Sequence, residues 1–275
     1  MGTSRRPGVM RAPTPGEHVS WSTPSHRQID IMFQGQTEIR DAYRDAGVAS
    51  KYIETRFREP LGALLHDRQL TVLRRLMATE RPRRTLEIAP GPARLTSDLV
   101  PSVTGTLTLV DASAQMLAEA RRRLPERRAG YVHGDAFRLP FAGAFDLVYT
   151  FRLVRHFEKA DRLSMFTEIA RVTRPGSMLV FDAVNGVVST RVRADDPDSH
   201  KHYDALMDPG SIRAEAEGTG FRVESLVPVQ RRFKTLRSLQ ILVAPRSRTL
   251  ARAAMEVVDR LGGEPLEWIV LCRRV

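Results

Sequence analysis

Between residues 85 and 181 short apolar runs alternate with segments of helical periodicity, and this alternation constrains the fold more than any other feature of the chain. Within the helical segments apolar residues recur three or four positions apart, as Leu163, Phe166 and Ile169 do. Strands separated by helices of this length pair in parallel through right-handed crossovers. The predicted strands are 85–89, 106–110, 131–132, 145–149, 178–181, 221–229 and 268–272. The sequence therefore predicts an α/β fold, a three-layer sandwich around a mostly parallel seven-stranded sheet.

The rest of the chain divides into regions of different character. Residues 1–30 are rich in proline and polar residues, so we expect a disordered or loosely attached tail. Residues 31–81 have a helical pattern that ends before Pro82, and residues 82–275 form the predicted core. Within that core, 230–263 is longer than a hairpin needs and is helical around 250–261. We predict that it is an inserted helical segment before the last strand, covering part of the sheet or of the site.

Composition excludes several classes of protein. A single cysteine in 275 residues excludes a disulfide scaffold and an all-cysteine zinc cluster, and it suits a reducing compartment. There is no apolar run of about 18 residues and no apolar signal core near the N-terminus, so we expect no membrane span and a cytoplasmic location. The net charge is +11, but all except four of the 43 basic residues are arginines spread along the chain. Nucleic acid is therefore not favoured as a partner.

Three acidic residues follow the first three predicted strands at regular spacing. Glu87 lies near the end of the first strand, Asp111 ends the second and Asp135 follows the third, with 24 residues from each acid to the next. Ligands of open parallel sheets bind at the carboxyl ends of the strands, and an acid ending the second strand can accept two hydrogen bonds from a ribose diol. The alternative is three solvated loop acids, which the regular placement disfavours.

Four segments in this order resemble the class I S-adenosylmethionine-dependent methyltransferases, in the small-molecule branch with the quinone-biosynthesis and natural-product enzymes. They are Glu-Ile-Ala-Pro-Gly-Pro-Ala at 87–93, Val-Asp at 110–111, Gly-Asp-Ala-Phe-Arg-Leu-Pro-Phe at 134–141 and Arg-Pro-Gly at 174–176. The resemblance covers residues 82–185, with weaker similarity at 40–81 and 211–229. It implies a Rossmann-like fold, an N-terminal helical lid at 31–81, and methyl transfer from S-adenosylmethionine to O, N or C of a small-molecule acceptor. The product of the cofactor would be S-adenosylhomocysteine.

The resemblance also implies which residues bind the cofactor. Glu87 would contact the methionine end, and Asp111 would hold the ribose diol. The other expected contacts are Ala89, Gly91 and Ala93 in the loop, Ala112 and Ala136 beside the adenine, Asp135 at its amino group, Tyr149 along the methionine, and Tyr43 and Tyr52 in the lid.

Two alternative functions follow, one from positions that depart from the family pattern and one from the net charge of the chain. The family usually has glycine where Ala89 and Ala93 stand, so a catalytically degenerate, cofactor-binding regulatory protein is one alternative. An RNA methyltransferase is another, because of the net charge. Dinucleotide binding is disfavoured, since the spacing around Gly91 is not G-x-G-x-x-G.

Histidines and arginines are the candidates for residues that contact the methyl acceptor or remove a proton from it. His156 is predicted as a general base, because a pKa of about 6.5 suits proton removal at neutral pH, and shaping of its loop is the alternative. His66 is a lesser candidate. His200 and His202 lack a third ligand at matching spacing, so we predict no metal. Residues expected in loops near the acceptor are Arg152, Arg155, Arg191, Arg193, Arg231, Arg232 and Asn185. The arginines among them raise the hypothesis of an anionic acceptor. Nothing in the sequence predicts the oligomeric state.

Overall fold

The computed structural model describes residues 59–124, 128–143, 145–195 and 204–275. Tyr43, Tyr52, His200 and His202 lie outside these residues, as do the predicted tail and much of the predicted lid. The strands are β1 Arg84–Ile88, β2 Thr106–Asp111, β3 Gly130–His133, β4 Phe145–Thr150, β5 Thr173–Asn185, β6 Leu206–Met207, β7 Phe221–Arg231 and β8 Pro265–Arg274. The α-helices are α1 Pro60–Glu80, α2 Arg94–Leu99, α3 Ala114–Arg123, α4 Lys159–Val172, α5 Gly186–Asp195, α6 Pro209–Glu217, α7 Phe233–Leu242 and α8 Arg248–Arg260.

The strands form one mixed sheet in the order β3-β2-β1-β4-β5-β8-β7, and β6 pairs with β5 outside this path. Strands β1 to β6 pair in parallel, whereas β8 is antiparallel to both β5 and β7. The chain passes from β1 through β2 to the β3 edge and then returns to β4 on the other side of β1. This reversal creates the switch point at which open α/β sheets bind ligands.

Helices cover both faces of the sheet because successive residues of its central strands point to opposite sides. Leu147 and Tyr149 of β4 pack with Leu73 of α1 on one face. Val148 packs on the other face with Phe166 of α4 and Phe181 of β5, whose ring centroids lie 4.9 Å apart. The predicted mostly parallel three-layer sandwich is therefore confirmed.

Several details of the sequence prediction are wrong. The sheet has eight strands rather than seven, because β6 has only two residues and is too short to produce a periodic pattern. Helix α5 was not predicted, so Arg191 and Arg193 lie on a helix instead of in a loop. Arg231 is likewise the last residue of β7, not a loop residue.

The segment 230–263 contains two helices where the sequence predicted one. Helix α7 has only Leu236 buried, which explains why it lacks a clear apolar period. Helix α8 packs against α1, where Met255 contacts the cluster around Leu64. Arg68 of α1 also pairs with Glu256 at 2.8 Å and with Asp259 at 3.0 Å. The insertion therefore covers α1 and the end of β7.

The single cysteine, Cys272, lies two residues before the end of β8 and is fully buried. Burial raises the pKa of its thiol to about 12. None of the helices that the structure describes is long and apolar enough to cross a bilayer.

Candidate functional site

A cavity lies at the carboxyl ends of β1, β2, β3 and β4, where the switch point of the sheet predicts a ligand site. Its empty volume is about 1090 Å³, including the part open to solvent. Seven of the residues predicted to bind the cofactor line it: Glu87, Ala89, Gly91, Asp111, Ala112, Asp135 and Ala136.

The loop between β1 and α2 has left-handed backbone at alternate residues. The φ angles of Ala89, Gly91 and Ala93 are 53°, 55° and 57°. These are the three positions at which the sequence comparison with the family leads us to expect glycine. A left-handed conformation costs a residue with a Cβ about 1–2 kcal/mol, so the two alanines preserve the shape of the loop at an energetic cost. Ala93 is fully buried and does not line the cavity.

Asp111 joins the loop after β1 to the segment that follows its own strand, β2. Its Oδ2 accepts a hydrogen bond from the backbone N–H of Gly91 at 3.0 Å, and its Oδ1 accepts one from Ser113 at 2.8 Å. Ser113 in turn caps α3 by accepting from the backbone N–H of Met116. Burial raises the pKa of Asp111 to about 6. Each carboxylate oxygen keeps a further lone pair for a ligand.

Glu87 is a buried carboxylate that reaches the cavity from β1. Its Oε2 accepts hydrogen bonds from the hydroxyls of Thr96 and, at 3.0 Å, Tyr149. Burial raises the pKa of Glu87 to about 7, against the opposing effect of these two donors. Tyr149 itself is fully buried and is not among the lining residues. It contacts the site through Glu87.

Arg94 is a cavity residue that the sequence analysis missed, because arginine is so frequent in this chain that one more carries little signal. Its guanidinium donates to Nδ1 of His66 and to Oε1 of Gln69, both at 2.7 Å. Since Arg94 can only donate, His66 accepts at Nδ1 and donates from Nε2 to Asp98 at 2.8 Å. Burial, followed by the charge of Arg94, lowers the pKa of His66. His66 therefore supports Arg94 and does not line the cavity.

The chain after β4 forms the other wall of the cavity. Phe151, Arg152, Leu153 and Phe157 line it there. His156 is not among the lining residues: its side chain is 12% exposed, and its Nδ1 lies 4.0 Å from Oδ1 of Asp204.

Of the other residues predicted near the acceptor, only Arg152 lines this cavity, and the six that do not are Arg155, Asn185, Arg191, Arg193, Arg231 and Arg232. Arg155 is buried and pairs with Asp182 at 2.6 Å and Glu267 at 2.9 Å. Asn185 accepts from the backbone of Val187 at the start of α5.

Within the described part of the chain, no group of three or more histidine, cysteine or acidic side chains is placed to hold a metal ion.

Comparison with known families finds a similarity within the part of the chain that builds the cavity. Residues 85–176 match a family model described as a methyltransferase domain. That range, less than half of the chain, is therefore similar to a methyltransferase domain. A malonyl-[acyl-carrier protein] O-methyltransferase of Enterobacter lignolyticus is 30% identical over 162 residues. That match covers 54% of this chain and 63% of the relative, so it spans somewhat less than two thirds of the relative's length.

Solved structures share the fold of residues 85–176 and of the segments that follow them. Magnesium protoporphyrin IX methyltransferase from Synechocystis, solved with bound S-adenosylhomocysteine, has a TM-score of 0.63 at 13% identity and covers 88% of this chain and 100% of its own. The N-methyltransferase NodS from Bradyrhizobium japonicum has a TM-score of 0.54 at 14% identity and covers 82% of this chain and 98% of its own.

The matched range 85–176 contains all seven predicted cofactor residues that line the cavity, together with Arg94 and Arg152. The acids that hold the chain after β4, Asp182 and Glu267, lie beyond the matched range. The wall lined by the predicted cofactor residues is thus built by the matched range, whereas the opposite wall depends on β5 and β8 through Asp182 and Glu267.

Proposed function

We propose that this chain is an S-adenosylmethionine-dependent methyltransferase that acts on a small-molecule acceptor. The observation that carries the proposal is the convergence of Glu87, Asp111 and Asp135 on one cavity beside a loop with three left-handed residues. Two of the similar folds, the Synechocystis enzyme and NodS, were solved with S-adenosylhomocysteine. Because likeness of fold alone does not establish an activity, the residues of the site are the main support for the proposal.

The side chains present fit the chemistry of this cofactor. Asp111 has its two oxygens fixed by backbone donors, so its other lone pairs can accept from a ribose diol. Glu87 offers a carboxylate to the ammonium group of the methionine moiety, and the buried guanidinium of Arg94 offers a cation to its carboxylate. Asp135 and the backbone of Ala136 would contact the adenine. Tyr43 and Tyr52, outside the described residues, are proposed as parts of the lid.

Methyl transfer depends more on the alignment of donor and acceptor than on an acid or a base in the site. When bound, the cofactor supplies a sulfonium methyl group that is transferred in line to the acceptor. The residues of this chain hold donor and acceptor in register, and the aromatic wall formed by Phe137, Phe151 and Phe157 excludes water from the reacting groups. An acceptor with a negative charge is favoured because Arg152 lies in this wall. The O-methyltransferase activity in the name of the Enterobacter relative agrees with transfer to oxygen.

Calorimetric titration of the purified chain with S-adenosylmethionine and S-adenosylhomocysteine tests the proposal. We expect one binding site for each, with dissociation constants in the micromolar range that is common for enzymes and their substrates. Folded protein that binds neither compound would overturn the proposal. Binding without methyl transfer to any member of an acceptor panel, followed with a methyl-labelled cofactor, would instead favour the regulatory alternative.

A further inference from the structure

We infer that the methyl acceptor is a carboxylate with an apolar body, that Arg152 binds it, and that no general base takes part in its methylation. This inference rests on the proposed methyltransferase function and names the substrate class of the same cavity.

The backbone of Arg152 is held in an unusual conformation by a buried network. Its φ angle is 63°, in the left-handed region that bulky residues rarely adopt. The N–H of Arg152 donates to Oδ1 of Asp182 at 2.6 Å, and Oδ2 of Asp182 accepts from Arg155 at 2.6 Å. Arg155 also pairs with Glu267 at 2.9 Å. Strained residues that persist because their surroundings fix them are concentrated at functional sites. The network therefore presents Arg152 to the cavity in one defined position.

The guanidinium of Arg152 has an unsatisfied hydrogen-bond donor and no ion-pair partner among the described residues. Its Nε is buried and has no hydrogen-bond partner among the described residues. None of the acids in that part of the chain forms an ion pair with Arg152 at 4 Å or less, since the nearby acids pair with Arg155 and Arg193. Asp182 contributes a favourable charge, but its two oxygens accept from the N–H of Arg152 and from Arg155. A buried N–H without a partner costs free energy, and a carboxylate can accept from a guanidinium through two parallel bonds.

The surroundings of Arg152 select an apolar body for the ligand. Phe151 and Leu153 flank it in sequence and line the same wall as Phe157. The rings of Phe137 and Phe157 meet edge to face, with centroids 4.9 Å apart. A wall of aromatic side chains with one cation matches an aryl or alkyl carboxylate better than a sugar or a free phosphate.

The ionisable groups around the cavity also favour a carboxylate acceptor. Those that line it in the described part of the chain are Glu87, Asp111, Asp135, Arg94 and Arg152, with no histidine, lysine, tyrosine or cysteine among them. Glu87 already accepts two hydroxyl donors, and Asp111 accepts two backbone donors. An alcohol acceptor must lose a proton during transfer, whereas a carboxylic acid, with a pKa of about 4, is ionised at neutral pH.

The transfer to a carboxylate balances without a proton. A lone pair of the carboxylate oxygen forms the new O–C bond to the methyl carbon, and the C–S bond breaks with its electron pair going to sulfur. The products are a neutral methyl ester and a neutral thioether. The role left to the protein is to orient the carboxylate, which the fork of the Arg152 guanidinium can do.

Fluorine NMR titrations with para-fluorobenzoate and its neutral analogue para-fluorobenzamide test this inference on protein saturated with S-adenosylhomocysteine. We expect the wild type to bind the benzoate at least about tenfold more tightly than the benzamide, as loss of a charge-assisted hydrogen bond implies. Arg152→Gln should abolish this preference. Arg152→Gly should do the same while relieving the left-handed strain, so it provides a variant that is expected to fold. Arg222→Gln, at an exposed position where β7 begins, should retain the preference.

Each outcome has a distinct meaning. No preference for benzoate in the wild type overturns the carboxylate assignment. A preference that survives in both Arg152 variants overturns the role of Arg152. Calorimetry with S-adenosylhomocysteine on all four proteins separates these results from failure of the proposed function, which would abolish cofactor binding in the wild type itself.

Discussion

The backbone N–H of Gly91 lies 3.0 Å from Oδ2 of Asp111, so the loop after β1 and the end of β2 are held together by one carboxylate. The other oxygen of Asp111 fixes Ser113, which caps the next helix. A residue proposed to bind the ribose therefore also organises the loop beside it. Substitution at this position should affect both functions, and the choice of replacement separates them.

Asp111→Ala should weaken S-adenosylmethionine binding at least about tenfold, because charge-assisted hydrogen bonds contribute about 1.5–3 kcal/mol each. Asp111→Asn keeps one acceptor oxygen and should lose less affinity. Calorimetry provides the measurement, and Glu224→Ala on β7 is the matched acidic control. Unchanged affinity in Asp111→Ala would contradict the assignment of the ribose site.

The stability of the cofactor-free protein should fall as pH rises from about 5 to 8. Burial raises the pKa of Asp111 to about 6 and that of Glu87 to about 7, so the folded state favours the neutral carboxyl groups more than the unfolded state does. Their favourable contribution is full below the ordinary carboxyl pKa values and is lost as pH rises through 6 and 7. Thermal unfolding across this range measures the effect. Glu87→Gln should flatten the profile, and an identical profile in that variant would exclude Glu87 as a cause.

Ala89→Gly should stabilise the protein by about 0.5–1 kcal/mol, because glycine removes the left-handed penalty and costs less than that in unfolded-state entropy. Ala93→Gly should be close to neutral, since Ala93 is fully buried and the variant also loses a packed methyl group. Denaturant unfolding of both variants provides the comparison. Cofactor affinity should change little in either. Strong binding that appears only in the double variant would support the regulatory alternative instead.

His156→Ala should leave turnover within about threefold of wild type and should lower the thermal stability. Its side chain is not among the residues that line the cavity, and it lies near Asp204. Turnover is measured with an acceptor found by screening with labelled cofactor. A loss of about 10²–10⁴ with unchanged cofactor affinity would establish His156 as a general base and contradict the carboxylate mechanism.

The sheet and the convergence of the three acids on one cavity could be predicted, because the sequence patterns that indicate them are local. Strand β1 and the acids Glu87, Asp111 and Asp135 occur at fixed offsets along the chain, and parallel strands necessarily bring their ends together. The left-handed angles of Ala89 and Ala93 could not be predicted from alanine itself, which has no preference for that region. Only the analogy with glycine indicated them.

The opposite wall of the cavity, proposed to contact the acceptor, could not be predicted because its contacts join distant parts of the chain. Arg152 depends on Asp182, 30 residues away, and Arg155 depends on Glu267 in the last strand. In a chain with so many arginines, nothing in the sequence separates the buried Arg155 from the cavity residue Arg152. Helix α7 was missed for a related reason, since Leu236 is its sole buried residue and a surface helix carries no apolar period.

The burial of Cys272 makes the folded chain equivalent to a cysteine-free protein for chemical labelling. It is the only thiol in the sequence, it lies inside the sheet, and its pKa of about 12 keeps the reactive thiolate scarce. A cysteine introduced at an exposed position such as Leu250 would be the one site at which a fluorophore attaches. In the unaltered protein, a thiol reagent can react with Cys272 only when β8 separates from its neighbours. The rate of that reaction would therefore measure how often the sheet opens locally.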